Sequence, residues 1–216
     1  MEEARDTRQD RGAVPGRRLR ILAAAALMAA DFWDEKDFTT WSDTEVQEML
    51  TDSPWAKQVR IIVSGRGGEP LDAVRTEVTF TWNSALPIKQ ALVRQAIGLD
   101  APIPPESQHA LERTEPFYAV TLSGLPPTLR WVATRRDALK AESMLARKGK
   151  APIAPTSVRL FQETQSRLIS IAFLFPKTDA ITLDDQDVEL ITKLGNAEVK
   201  KTFKLADMVF GGQLAL

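Results

Sequence analysis

Residues 168–175 read Leu168-Ile169-Ser170-Ile171-Ala172-Phe173-Leu174-Phe175. Side chains alternate across a strand, so Ile169, Ile171, Phe173 and Phe175 share one face. Ala172 and Leu174 make the other face apolar too. A strand apolar on both sides belongs inside a sheet, not at its edge. Residues 158–163 precede it and read as a neighbouring strand. Beyond it, residues 187–194 and 198–205 flank Gly195-Asn196, a two-residue hairpin signal. Met208-Val209-Phe210 and Leu214-Ala215-Leu216 surround Gly211-Gly212 and predict a last short ribbon. The last sixty residues are therefore predicted to be an antiparallel meander.

Upstream, strands alternate with helices. Residues 59–63 and 117–122 are rich in β-formers, and residues 76–82 put Val78, Phe80 and Trp82 on one side. A helix is predicted over residues 84–98, with Ser84 as cap, Pro87 in the first turn, and Ile88, Ala91, Leu92, Ala96 and Leu99 as its apolar stripe. Residues 100–116 contain Pro102, Pro104, Pro105 and Pro116 and read as a loop holding a short helix near 107–113. A second helix is predicted over residues 134–148, capped at Thr134 and ended by Gly149, with Ala138, Ala141 and Leu145 facing the sheet. Interrupting helices followed by consecutive strands predict an α+β fold: a mostly antiparallel sheet with two main helices packed on one face.

Ahead of that domain, residues 31–57 carry Phe32, Trp33, Phe38, Trp41 and Trp55. Ser42-Asp43-Thr44-Glu45 is a capping-box pattern, followed by Val46, Met49 and Leu50 on one helical face. This predicts a short aromatic-rich helical segment. Residues 1–16 are polar. Arg17, Arg18 and Arg20 then precede ten uninterrupted apolar residues, 21–30. A basic start, an apolar run and a small-residue end form the pattern of a secretory signal. Ten residues are too few for a lasting membrane span, which needs about 20. The expected organisation is a polar extension and signal peptide (1–30), the aromatic segment (31–57) and the α+β domain (58–216). The expected location is exported, periplasmic or extracellular. The alternative is a cytoplasmic chain whose Ala-rich run is an ordinary helix.

Composition excludes several functions. The 216 residues include no cysteine and one histidine, so zinc-thiolate sites, iron–sulfur clusters and thiol nucleophiles are impossible. Net charge is −1, which argues against nucleic-acid binding. Loss of residues 1–30 takes six Arg and four acidic residues from 28 basic and 29 acidic ones, leaving −3. His109 lies in a Pro/Glu/Ser-rich stretch without a serine elbow and reads as a surface residue. Gly65-Arg66-Gly67-Gly68 lacks the Lys-Ser/Thr ending of a phosphate loop and reads as a turn. No cofactor is expected.

Two groups of residues remain as candidate contacts. Asp185, Asp187 and Glu189 would share one face of a strand and could offer oxygen ligands to a cation such as Ca²⁺; a solvated, charged strand edge is the plainer role. Trp33, Trp41 and Trp55 could contact a ligand or partner; the plainer role is to fasten the flanking segment to the core.

Phe32-Trp33, Trp41-Ser42, Ser53-Pro54-Trp55-Ala56, Trp82-Asn83-Ser84-Ala85-Leu86-Pro87 and the run from Phe203 to Phe210 resemble a family of uncharacterised exported bacterial proteins of acidobacterial type. The resemblance covers roughly residues 17–216 and implies export, but no activity and no catalytic residues. The expected function is a non-enzymatic exported binding or scaffold module for a protein or envelope ligand. The alternative is a carboxylate-based hydrolase of an envelope polymer or saccharide, which needs two acids facing each other in a cleft.

Overall fold

The computed structural model describes residues 32–64, 73–162 and 167–216. The expected signal segment and the Gly65–Gly68 stretch lie outside the described residues. The chain has the predicted α+β fold. Five antiparallel strands form the main sheet: β1 (Ala56–Val63), β2 (Val74–Trp82), β3 (Phe117–Leu125), β5 (Ser157–Gln162) and β6 (Ile169–Pro176), in the order β1-β2-β3-β6-β5. The doubly apolar run is β6, between β3 and β5, and all seven of its residues from Ile169 to Phe175 are buried. Register aligns Trp82 with Val120 and Val120 with Phe173, one apolar row across three strands.

A second sheet joins β4 (Met144–Ala146), β7 (Asp187–Leu194) and β8 (Ala197–Lys204) in the order β4-β7-β8. Gly195-Asn196 makes the expected two-residue turn, with Gly195 at φ +67°. A side chain at Gly195 would also strike Trp131, 2.7 Å from its Cβ position. The sheets share one core. The Trp82 ring meets Tyr118 at 5.9 Å and Phe203 at 5.7 Å, both edge-on. At their margins Ser64 N donates to Asn196 Oδ1 at 3.2 Å, and Asn196 Nδ2 donates to Ser64 Oγ at 2.9 Å. The predicted last ribbon is β9 (Val209–Phe210) paired with β10 (Gln213–Leu214).

Helices depart further from expectation. The aromatic segment forms α1 (Phe32–Glu35), a 3₁₀ turn and α2 (Asp43–Thr51) with the Ser42/Glu45 capping box in place. The next helix, α3 (Leu86–Ile97), buries Pro87, Ile88, Ala91 and Arg94 and leaves Leu92 and Leu99 exposed, so its inner face is rotated from the predicted stripe. Ser84 is not its cap, because its Oγ accepts a hydrogen bond from Ala119 N at 3.1 Å. The loop helix is α4 (Pro105–Glu112). Of the helix expected over 134–148 only α6 (Arg136–Ala141) forms, after a separate α5 (Arg130–Ala133) that ends at Thr134, and β4 follows it. Leu145 pairs opposite Leu190 in the second sheet and is fully buried there. Long-range strand pairing outweighs the local helical preference of this stretch.

Candidate functional site

Trp41 and Trp55 offer no contact surface, and Trp33 offers only a little, to one cleft. Trp41 and Trp55 are 0% exposed and Trp33 only 7%. Trp33 packs edge-on against Trp55 at 5.8 Å, Phe32 against Trp41 at 5.3 Å, and Trp55 against Phe210 at 6.4 Å. Trp55 Nε1 donates to Ala215 O at 2.8 Å. These rings clamp the aromatic segment and the C-terminal ribbon onto the sheet, so burial corrects the ligand-contact expectation for Trp41 and Trp55. The segment belongs to the same hydrophobic core as the strands.

The three acids line one cleft with Arg147 and Lys148 but do not converge as a ligand set. Asp187 and Glu189 lie on β7, but Asp185 ends the preceding 3₁₀ turn, and the chain reverses at Gln186 with φ +61°. The Asp185 carboxylate is buried and already neutralised, with Lys150 Nζ at 2.6 Å and Arg147 Nη1 at 3.7 Å. Burial opposes its ionisation, but the bond from Lys150, the Thr182 amide and Arg147 hold its pKa below the usual value. Arg147 also pairs with Asp179, which raises the guanidinium pKa and lowers that of Asp179. The network staples the turn after β4 to the approach to β7. Among the described residues no three His, Cys, Asp or Glu side chains converge for a metal. His109 is exposed on α4, the surface position expected of it.

The C-terminal ribbon walls two clefts. One, of about 740 Å³, is lined by Trp33, Asp34, Glu48, Asp52, Lys57 and Asp207, with Val209, Gly211 and Gly212 from the ribbon. The other, of about 660 Å³, has apolar walls from Phe38, Leu86, Leu111, Phe210 and Leu214. Lys89 and Lys177 both line it. Lys89 Nζ donates to Arg113 O at 2.8 Å and Ala110 O at 3.3 Å. Lys177 Nζ donates to Leu216 O at 3.2 Å and sits 4.9 Å from the centre of the Tyr118 ring. Burial lowers the pKa of both amines; for Lys177 the positive charge of Lys89 adds to the effect, and Glu115 partly offsets it at each. Tyr118 is pushed upward by burial, and its hydroxyl oxygen accepts from Ile181 N at 2.8 Å.

Two partly desolvated ammonium groups sit at the side of a cleft of mixed character, which is also lined by Glu112, Arg113 and Glu115. Apolar walls with a few convergent polar groups are the usual build of a small-molecule site. Sequence gave no sign of this pair, because helix α3 and the chain beyond β6 bring the lysines together only in the fold. No helix among the described residues is long and apolar enough to cross a membrane. Comparison with protein-family models, curated proteins and solved structures finds no match.

Proposed function

We propose that the chain is a non-enzymatic exported binding module that holds a small carboxylate-bearing amphiphile in the Lys89–Lys177 cleft. The observation that carries this reading is the placement of both amines in one cleft with Leu86, Leu111, Phe210 and Leu214. A bound carboxylate would take the remaining ammonium donors as charge-assisted hydrogen bonds, and the chain of the ligand would cover the apolar wall. Its affinity should fall as rising pH reaches the lowered lysine pKa values, because the neutral amines lose their attraction for the anion.

Titration calorimetry with decanoate tests the proposal, with decanol as the uncharged control. Decanoate is expected to bind, and Lys89→Gln with Lys177→Gln to weaken it at least tenfold, the order of one lost charged contact or more. Absence of decanoate binding, or equal binding by the double variant, would remove the reading. Export rests on the signal pattern and the family resemblance. N-terminal sequencing of protein from the envelope fraction should find a start near Asp31; a cytosolic chain retaining residues 17–30 would refute it.

The hydrolase alternative draws on a different observation: Asp34, Glu48, Asp52 and Asp207 line the other cleft beside Trp33. Release of reducing ends from envelope polysaccharide, abolished by Asp34→Asn or Asp52→Asn, would support it. No turnover would leave the binding reading alone.

A further inference from the structure

We infer that the free edge of β5 is a docking site for an extended, acidic segment of a partner protein. Four observations meet there. First, β5 ends the main sheet: its residues pair with β6 on one side and no strand among the described residues pairs with the other. Backbone amides and carbonyls on such an edge can pair with an incoming strand.

Second, the edge carries an exposed aromatic residue. The outer strand of the second sheet, β8, carries Lys200, Lys201 and Lys204. The other edge of the main sheet, β1, is joined to the β7–β8 turn through Ser64 and Asn196. On β5, by contrast, Phe161 is 55% exposed, and it is the only aromatic among the strongly exposed large apolar residues of the described chain.

Third, arginines surround it. Arg130 and Arg136 line a cleft with Leu160 and Phe161, and Arg135 and Arg136 line a second with Leu160. Arg159 lies on β5 itself, two residues before Phe161, and therefore on the same sheet face. All four arginines are exposed. Fourth, they are unspent. Among the described residues the arginines in ion pairs are Arg60, Arg94, Arg113 and Arg147. Asp137 is the one carboxylate lining these two clefts.

An excess of arginine beside an open strand edge selects a partner that offers both a backbone ladder and carboxylates. Guanidinium forks bind carboxylates in paired hydrogen bonds, and Phe161 supplies an apolar anchor between them. An anionic polysaccharide would satisfy the charge but has no amide ladder to pair with β5.

The test uses fluorescence anisotropy with a labelled ten-residue peptide of alternating Val and Glu. Three further probes are its analogue N-methylated at alternate residues, poly-glutamate and poly-galacturonate. The alternating peptide is expected to bind, N-methylation to cost at least tenfold, and Arg130→Glu with Arg136→Glu at least tenfold at low salt. Phe161→Ser should weaken binding several-fold. Hydrogen exchange should slow at residues 158–162 when peptide is bound. Circular dichroism checks that the variants, all at exposed positions, remain folded. No binding of the peptide overturns the inference. Equal binding of the N-methylated peptide or of poly-galacturonate also overturns it, in favour of a plain polyanion surface. Decanoate binding reports on the other cleft, so the two proposals stand or fall separately.

Discussion

Arg94 shows how a single residue departs from the pattern of its helix. It occupies a position on the inner face of α3, where its side chain is only 2% exposed. Its ion-pair partner is Asp43 in the first turn of α2, 3.1 Å away and 97% exposed. The charge is thus buried at one end and hydrated at the other, and Arg94 Nε has no hydrogen-bond partner. A buried charge gains little over an apolar side chain of similar volume, but losing its counter-ion is costly. Arg94→Met should therefore lie within about 1 kcal/mol of the parent, while Asp43→Ala should lose about 1–2 kcal/mol. The second figure is kept low because solvent screens an exposed carboxylate. Urea unfolding of the two variants distinguishes these outcomes. An Arg94→Met loss larger than that of Asp43→Ala would show that the guanidinium matters for packing rather than charge.

At the scale of elements, the start of α2 links a local sequence pattern to pH. Ser42 Oγ accepts from Glu45 N at 3.3 Å, and Glu45 Oε2 accepts from Ser42 N at 2.8 Å. Lys36 pairs with the same carboxylate. The Lys36 bond, then the Ser42 amide, lower the Glu45 pKa to about 2 from an ordinary 4.5. A carboxyl with a depressed folded pKa stabilises the fold above its unfolded value, and that contribution disappears as pH falls through the folded one. The support of Glu45 is therefore complete above about pH 4.5 and is lost on the way to about pH 2. Glu45→Gln should cost about 1 kcal/mol at neutral pH and flatten the stability curve over that acid interval. Denaturant midpoints measured from pH 7 to pH 2 check both parts; parallel curves would exclude the linkage. This cap was legible in sequence because both of its partners lie within four residues. The β7–β8 turn and the centre of the sheet were legible for similar reasons: Gly195-Asn196 is a local signal, and β6 announces burial on both faces. The stretch 134–148 was not, because Met144 to Ala146 become a strand only when β7 arrives beside them. The α3 stripe failed more narrowly. Its periodicity was readable, but only the packing of α2 shows that Arg94 turns inward and Leu92 outward.

For the whole molecule, the aromatic residues decide whether residues 32–57 are an appendage or part of the domain. Composition could not choose, since tryptophans serve equally well as surface anchors and as core. The fold chooses: Phe32, Trp33, Trp41 and Trp55 form edge-on contacts that continue into Phe210 of the ribbon. The Trp82 backbone amide donates to Trp55 O at 2.9 Å, tying the same segment to the end of β2. The candidate site was hidden for a related reason, because its two lysines and its ribbon wall come from distant parts of the chain. A segment joined in this way should unfold with the sheet rather than before it. Trp41→Ala removes a fully buried ring and should cost about 3–5 kcal/mol. Two probes then report on different parts of the molecule. Tryptophan emission weighs the segment heavily, since three of the five tryptophans lie there, whereas far-ultraviolet dichroism weighs the sheets and helices. In the parent and in Trp41→Ala the two urea curves should coincide, the variant shifted to lower urea with an unchanged slope. If emission changed at lower urea than dichroism, the segment would be a separately melting unit. The ribbon held by Trp55 would then also release early, and the wall of the lysine cleft with it.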